Sequence, residues 1–244
     1  MCGRFTLRVP EIDWGQLFCA NMDRVDVISV GPPRFNIAPT QNVKCIHHDP
    51  HGDRLTAANY RWGLVPAWAK DIRIGTKMIN ARSETLDSKP SFIHAFASRR
   101  CLVPMDGYYE WAQNSDGKGK QPFLIEPSDG RVKFMAGLWE ENQQLEDHEA
   151  IRSCTIITTP ANFTTAQLHQ RMPAFIEESN RSAWLDPRCR DLAELKTLLR
   201  PAEEDLLKLT AVSRQVNSPR NEGEQCVLPV DDATSGGQQV IRFD

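Results

Sequence analysis

Between residues 100 and 160 one short strand-like run follows another with little chain between them. The runs at 101–103, 108–112, 122–125, 132–139 and 153–158 are apolar or alternating, with turn-forming stretches at 117–120 and 128–130. Further strands are expected at 2–7, 43–47, 55–62 and 206–216, with a turn at 49–52. Helices are expected at 10–20, with Ile12, Leu17 and Phe18 on one side, and at 91–97. A third should open at Thr159-Pro160, as N-cap and first turn, and run to His169. A fourth, at 191–199, keeps Leu192, Leu195 and Leu199 in register until Pro201 stops it. Residues 31–40, with three prolines, read as a fixed loop. Strands and helices mixed without βαβ order imply an α+β fold, one domain over 1–216. The polar stretch 217–244 reads as a flexible tail.

Bulk properties exclude several classes. A chain of 244 residues can bury an ample core. No apolar run approaches the roughly 18–20 residues needed to cross a bilayer. The start, Met1-Cys2-Gly3-Arg4-Phe5, lacks the apolar centre of a signal peptide, so the expectation is a soluble, intracellular protein without a membrane partner. Seven cysteines, an odd number with no C-x-x-C pair, argue against a disulfide framework or a zinc ribbon. The net charge of −3 hides an asymmetry: 14 basic against 11 acidic residues up to 110, then 15 against 21. A local basic site for a short nucleic acid fits that balance; a long non-specific footprint does not.

Cys2 carries the most distinctive chemistry. Initiator methionine is commonly removed before a small residue, and removal here leaves an amine and a thiol on adjacent carbons. An α-amine titrates near 7.7–8.0, so part of it is neutral at pH 7 and adds to aldehydes. The neighbouring sulfur can then close a five-membered thiazolidine on the imine, effectively as a unimolecular step. The alternative is that Cys2 is incidental.

Other candidates each have a plainer reading. In Asn80-Ala81-Arg82-Ser83-Glu84-Thr85, Arg82 could clamp a phosphate and Asn80 could hold the amine or a sugar oxygen; the run could equally be a solvated turn. Glu110 lies among aromatics in Tyr108-Tyr109-Glu110-Trp111, which suits acid/base work, or is an exposed strand residue. His169 is a proton shuttle or a helix C-cap, and Arg171 a second phosphate contact. Trp62 reads as core and Trp68 as an exposed platform for an unstacked base. His47, His48 and His51 lie in a turn without a second ligand group, so no metal is expected.

Taken together these segments resemble the SRAP family (SOS-response-associated peptidases, or abasic-site processing proteins). The start, Arg34-Phe35-Asn36-Ile37-Ala38-Pro39-Thr40-Gln41, 62–68, 80–85, 100–111 and His169-Gln170-Arg171-Met172-Pro173 carry the likeness, in order, over about 2–215. The resemblance implies a compact α+β domain around a barrel-like, bifurcated mixed sheet with peripheral helices. It implies a thiazolidine crosslink between Cys2 and the ring-opened abasic sugar of single-stranded DNA, with Asn80 beside the amine and Glu110 and His169 as the acid/base pair. Arg4, Arg82 and Arg171 would line the phosphate path, and Pro39 and Trp68 would wedge the strand apart. No cofactor is implied. Lyase activity and crosslink reversal would be secondary, and replication-fork junctions are a further target. The expected state is a monomer, cytoplasmic and nucleoid-associated in a bacterium or nuclear in a eukaryote.

Ile93 departs from the pattern, standing where relatives carry an arginine, with His94 or Arg99 as the substitutes on offer. Met105 replaces a smaller residue, which implies only repacking. Two other functions compete. One is a cysteine-type autopeptidase using Cys2, His169 and Asn80 to cut the Met1–Cys2 bond. The other is a non-enzymatic DNA reader that needs the arginines and Trp68 but not Cys2.

Overall fold

The computed structural model describes residues 2–13, 27–49, 54–114, 117–146 and 149–230. Its strands are β1 (Phe5–Leu7), β2 (Glu11–Asp13), β3 (Val27–Ser29), β4 (Arg34–Ile37), β5 (Asn42–His48), β6 (Leu55–Trp62) and β7 (Asn80–Arg82). They continue with β8 (Arg100–Met105), β9 (Gly107–Gln113), β10 (Lys120–Pro127), β11 (Lys133–Asn142), β12 (Ile151–Pro160), β13 (Arg171–Pro173) and β14 (Leu207–Ala211). Helices α1 (Ile93–Ser98), α2 (Phe163–Ala166), α3 (Arg181–Leu185) and α4 (Leu192–Thr197) are short.

Strands β11, β8, β5, β6 and β12 pair in that order, and β11 pairs again with β12, which closes a barrel-like ring. The β6–β12 pairing is parallel, so the ring is mixed. Strand β12 also carries β7 in parallel and β13 antiparallel. A second sheet runs β14-β10-β9-β1-β4, all antiparallel. One stretch of chain serves both sheets, as β8 in the ring and β9 in the second sheet, with Asp106 between them. The result is an α+β fold with a bifurcated sheet. One apolar cluster, including Phe96, Trp184 and Leu195, lies between the ring and its helices; another, including Phe5, Trp62, Tyr108 and Ile156, gathers residues of both sheets. Every residue of β8 is buried.

The junction is fastened at Asp106. Its carboxylate accepts from Thr6 Oγ1 at 2.6 Å, the Arg8 backbone N–H at 2.6 Å and Arg8 Nε at 3.1 Å. Next to it, a Cβ at Gly107 would come within 2.9 Å of both Leu124 Cδ1 and Thr6 Oγ1, so any larger residue must displace Leu124 and the Thr6 hydroxyl that bonds Asp106. Asp106→Ala removes the carboxylate that joins Thr6 and Arg8 in a buried junction, leaving Arg8 its pair with Glu126. We expect it to destabilise the fold by about 3 kcal/mol, read as a lower urea midpoint with unchanged m.

Several expectations need correction. Residues 11–13 form β2, paired with β3, with Ile12 buried opposite Ile28; the alternation Glu11-Ile12-Asp13 satisfies a two-stranded ribbon. The rest of the expected helix, at 14–20, lies outside the described residues, as do positions 50–52 of the 49–52 turn. Residues 34–37 form β4 rather than loop, because the prolines at 32, 33 and 39 stand outside the strand. Thr159 and Pro160 end β12, where they pair with Met172 and Arg171. The helix opens instead at Phe163, capped by Asn162, whose Oδ1 accepts from Thr165 N at 2.9 Å. Strand β14 stops at Ala211, and a 3-10 turn follows at Arg214–Asn217.

Residues 218–230, expected in a flexible tail, pack on the second sheet, 218–222 against edge strand β4 and 228–230 against the chain that follows β14. Buried Asn36 donates to the carbonyls of Ser218 (2.9 Å) and Asn221 (2.7 Å), and the Glu222 carboxylate accepts from the Phe35 and Asn36 backbones. Polar residues here satisfy an otherwise open sheet edge, which composition alone does not reveal. Residues 231–244 lie outside the description. Among the described residues no helix is long and apolar enough to cross a membrane.

Candidate active site

The start of the chain is laid along β9. Phe5 pairs with Tyr108 and Thr6 with Gly107, and Tyr109 N donates to Arg4 O at 2.9 Å. Continued by two residues, that register brings Gly3 opposite Glu110. Strand alternation puts Tyr108 and Glu110 on one face and Tyr109 and Trp111 on the other. Tyr108 joins the apolar cluster that holds Cys2, and Tyr109 joins the cluster on the outer side.

Cys2 is fully buried. Asn80, on β7, donates from Nδ2 to the Cys2 carbonyl at 2.7 Å, while its own buried Oδ1 has no donor. Burial pushes the Cys2 thiol far above its ordinary value, and the nearby Glu110 carboxylate adds to the effect. Burial likewise raises Glu110, opposed by the positive charge at the start of the chain and by His169. Cys2, Asn80, Glu110 and His169 therefore meet around the chain's second residue. A protonated thiol and an elevated carboxyl in an apolar surround are poised for proton transfer, not for a resting thiolate.

His169 sits half-buried after α2. Its backbone N–H bonds Thr165 O at 3.1 Å, and its Nδ1 accepts from Arg171 N at 3.0 Å. A neutral ring held this way carries its proton on Nε2. Among the described residues no hydrogen bond joins Asn80 to His169: Asn80 Nδ2 donates to the Cys2 carbonyl, and His169 Nδ1 is held by Arg171 N.

The DNA-contact candidates differ in readiness. Arg82, at the end of β7, is exposed, and its guanidinium has no partner among the described residues. Arg171 is closed into a two-point pair with Glu84 and also donates to Thr158 O. Arg4 is a brace: it donates to Asn36 Oδ1 at 2.7 Å and Val216 O at 2.9 Å and lies over Trp111 at 5.8 Å. Pro39 is half-buried in a turn where Thr40 takes a positive φ of 72° and donates to Trp62 O at 2.8 Å. Trp62 is core, against Phe5 at 5.2 Å, whereas Trp68 is 55% exposed. Of the substitutes for the missing arginine at 93, Arg99 is tied to Glu140 at 2.8 Å and His94 stays exposed.

His47 is a core residue. Its ring stacks between Tyr60 and Trp139, and both nitrogens are used, by Tyr60 OH and His48 O at 2.6 Å each. Among the described residues no cluster of His, Cys, Asp and Glu could hold a metal. Sequence reasoning missed Tyr108. Its buried hydroxyl has no well-formed hydrogen bond, and burial, with Cys2 and Glu110 adding, keeps it protonated. Its i, i+2 spacing from Glu110 on a strand was the available signal.

Comparison with known proteins places the chain in a family. Abasic site processing protein YoqW of Bacillus subtilis is 40% identical over 227 residues, 93% of this chain and 99% of that protein. Abasic site processing protein HMCES of Gallus gallus is 33% identical over 77% of this chain and 62% of its own length. A crystal structure from Bacteroides thetaiotaomicron superposes with a TM-score of 0.70 at 26% identity, covering 80% of this chain and 84% of that one. The family model for SOS response associated peptidases matches residues 1–219. A ring-closed sheet that brings Cys2, Asn80, Glu110 and His169 together, and a match over nine-tenths of the chain, lead to one conclusion: the protein belongs to the SRAP family.

Proposed function

We propose that this protein processes abasic sites in DNA by joining the sugar aldehyde of the lesion to Cys2. The relatives' names support the target, and one observation carries the chemistry: Asn80 pins residue 2 beside the elevated carboxyl of Glu110. Met1 is first removed, which creates the amine and shortens the chain where Cys2 is buried. Glu110 or His169 protonates the sugar ring oxygen and favours the open aldehyde. The amine adds to the aldehyde carbon and water leaves, giving an imine. The Cys2 S–H then adds across C=N, sulfur to carbon and proton to nitrogen, closing the thiazolidine. Asn80 Oδ1, a buried acceptor without a donor, suits the N–H of that nitrogen. If closure fails, the imine acidifies the neighbouring C–H and permits β-elimination, a lyase outcome.

Single-stranded DNA is the proposed partner. Arg82 offers a cation without a partner among the described residues, and Trp68 the ring on which an unstacked base can lie. The hydrolytic reading has less support, since Asn80 does not orient His169. The test is a denaturing gel after mixing the protein with an abasic oligonucleotide, single-stranded or duplex. We expect a heat-stable shifted band, stronger for the single strand. Absence of the band with correctly processed protein sinks the proposal.

A further inference from the structure

The loop that follows Trp62 is held with unusual care for a stretch that ends in an exposed aromatic. Gly63 N donates to Cys154 O at 2.8 Å, Leu64 N to Met78 O at 3.1 Å, and Val65 N to Ser153 Oγ at 2.8 Å. A turn follows, with Ala69 N donating to Pro66 O at 2.9 Å and Trp68 near its tip. Both ends of that turn are gripped by one side chain. Asn142, the last residue of β11 and wholly buried, donates from Nδ2 to Pro66 O at 2.5 Å and to Ala69 O at 2.8 Å. Its Oδ1 accepts from Gln144 N at 2.7 Å, so the amide is saturated and its orientation set. Val65, Ala69 and Leu145 pack beneath.

The turn carbonyls could have been left to water at a surface loop. Here a buried amide takes both, and the one large side chain they bracket, Trp68, is turned outward. Fixing an exposed ring before binding removes the ordering cost that binding would otherwise carry. The loop also leaves from the wall of the active site: Trp62 packs on Phe5, and Leu64 bonds Met78, two residues before Asn80.

We propose that Asn142 is a positioning residue that presets Trp68 as a rigid platform for the base beside the lesion. This rests on the Cys2 reaction proposed above. Neither Asn142 nor its bonds touch Cys2, Asn80, Glu110 or His169, so its effect is on DNA seating and not on the chemical step.

The test uses the full-length protein and two single-stranded abasic oligonucleotides, one with purines beside the lesion and one with baseless spacers there. Wild type should crosslink the purine-flanked strand faster by roughly tenfold, as loss of one stacked base implies. Asn142→Ala should lose that preference while matching wild type on the spacer strand, and Trp68→Ala should lose the preference as well. Asn142→Asp keeps the shape and the acceptor for Gln144 and, when ionised, lacks the donors; it should behave as Asn142→Ala. In the wild type, the Ala69 amide should be protected from hydrogen exchange. Retained purine preference in either folded Asn142 variant overturns the proposal, as does equal loss on both strands or rapid exchange at Ala69. No adduct from wild type on either strand removes the Cys2 reading and this one with it; adducts whose purine preference outlives Asn142 replacement remove only this one.

Discussion

Cys2→Ala should give no heat-stable adduct with abasic DNA, while borohydride still traps some imine. The alanine variant keeps an α-amine after Met1 removal, so the first condensation survives. It lacks the sulfur that closes the ring, and no other thiol replaces it: Cys45, Cys101 and Cys154 share the buried cluster of Cys2, but a five-membered ring needs the sulfur on the carbon next to the one that carries the amine. The imine then partitions between hydrolysis and β-elimination, so strand cleavage should persist or rise as the crosslink disappears. Retaining Met1 should abolish the heat-stable adduct, because the α-amine of residue 2 is then an amide and any imine forms on Met1, which carries no thiol. Wild type and both variants, run on one denaturing gel with and without borohydride, separate these outcomes. A heat-stable band from Cys2→Ala without borohydride would end the thiazolidine account.

The second large effect concerns Glu110. Glu110→Gln keeps shape and burial but removes the proton-transfer group, and we expect crosslinking to slow by about 10²–10⁴-fold. The same change should stabilise the fold at neutral pH. Burial raises the Glu110 pKa in the folded state, so ionisation is penalised there relative to the unfolded chain. The stability linked to this group is fully present below the unfolded value, about 4.3 for glutamate, and is lost as pH rises through the folded value. Glutamine has no such loss. Its urea midpoint should therefore exceed that of wild type in mildly alkaline buffer, with the gap closing in acid below the ordinary glutamate range. A variant less stable than wild type at alkaline pH would mean that Glu110 is a structural anchor instead. Stability surrendered at a working carboxyl is a common pattern in active sites.

The local rules served where one strand's own pattern decided the outcome. The runs around 43–47, 55–62 and 100–158 became strands because β-branched and aromatic residues alternated or ran together between turn signals, and β8, buried throughout, reads as the apolar run it is. The rules failed where a partner decided it. Glu11–Asp13 is a strand because Val27–Ser29 lies beside it, and 218–222 is ordered because an edge strand needed its polar groups.

The same division holds at the site. Residue chemistry alone made Cys2 a nucleophile pair in waiting and made Glu110 and His169 plausible acids, since those properties belong to the side chains. That Asn80 holds Cys2 by its carbonyl, that Arg4 and Arg171 are occupied by internal partners while Arg82 has none among the described residues, and that Asn142 grips the Trp68 turn were decided only when distant segments met. Hydrogen bonds and burial depend on distances across the closed ring and the second sheet, and a linear pattern encodes which groups exist but not which of them are already taken.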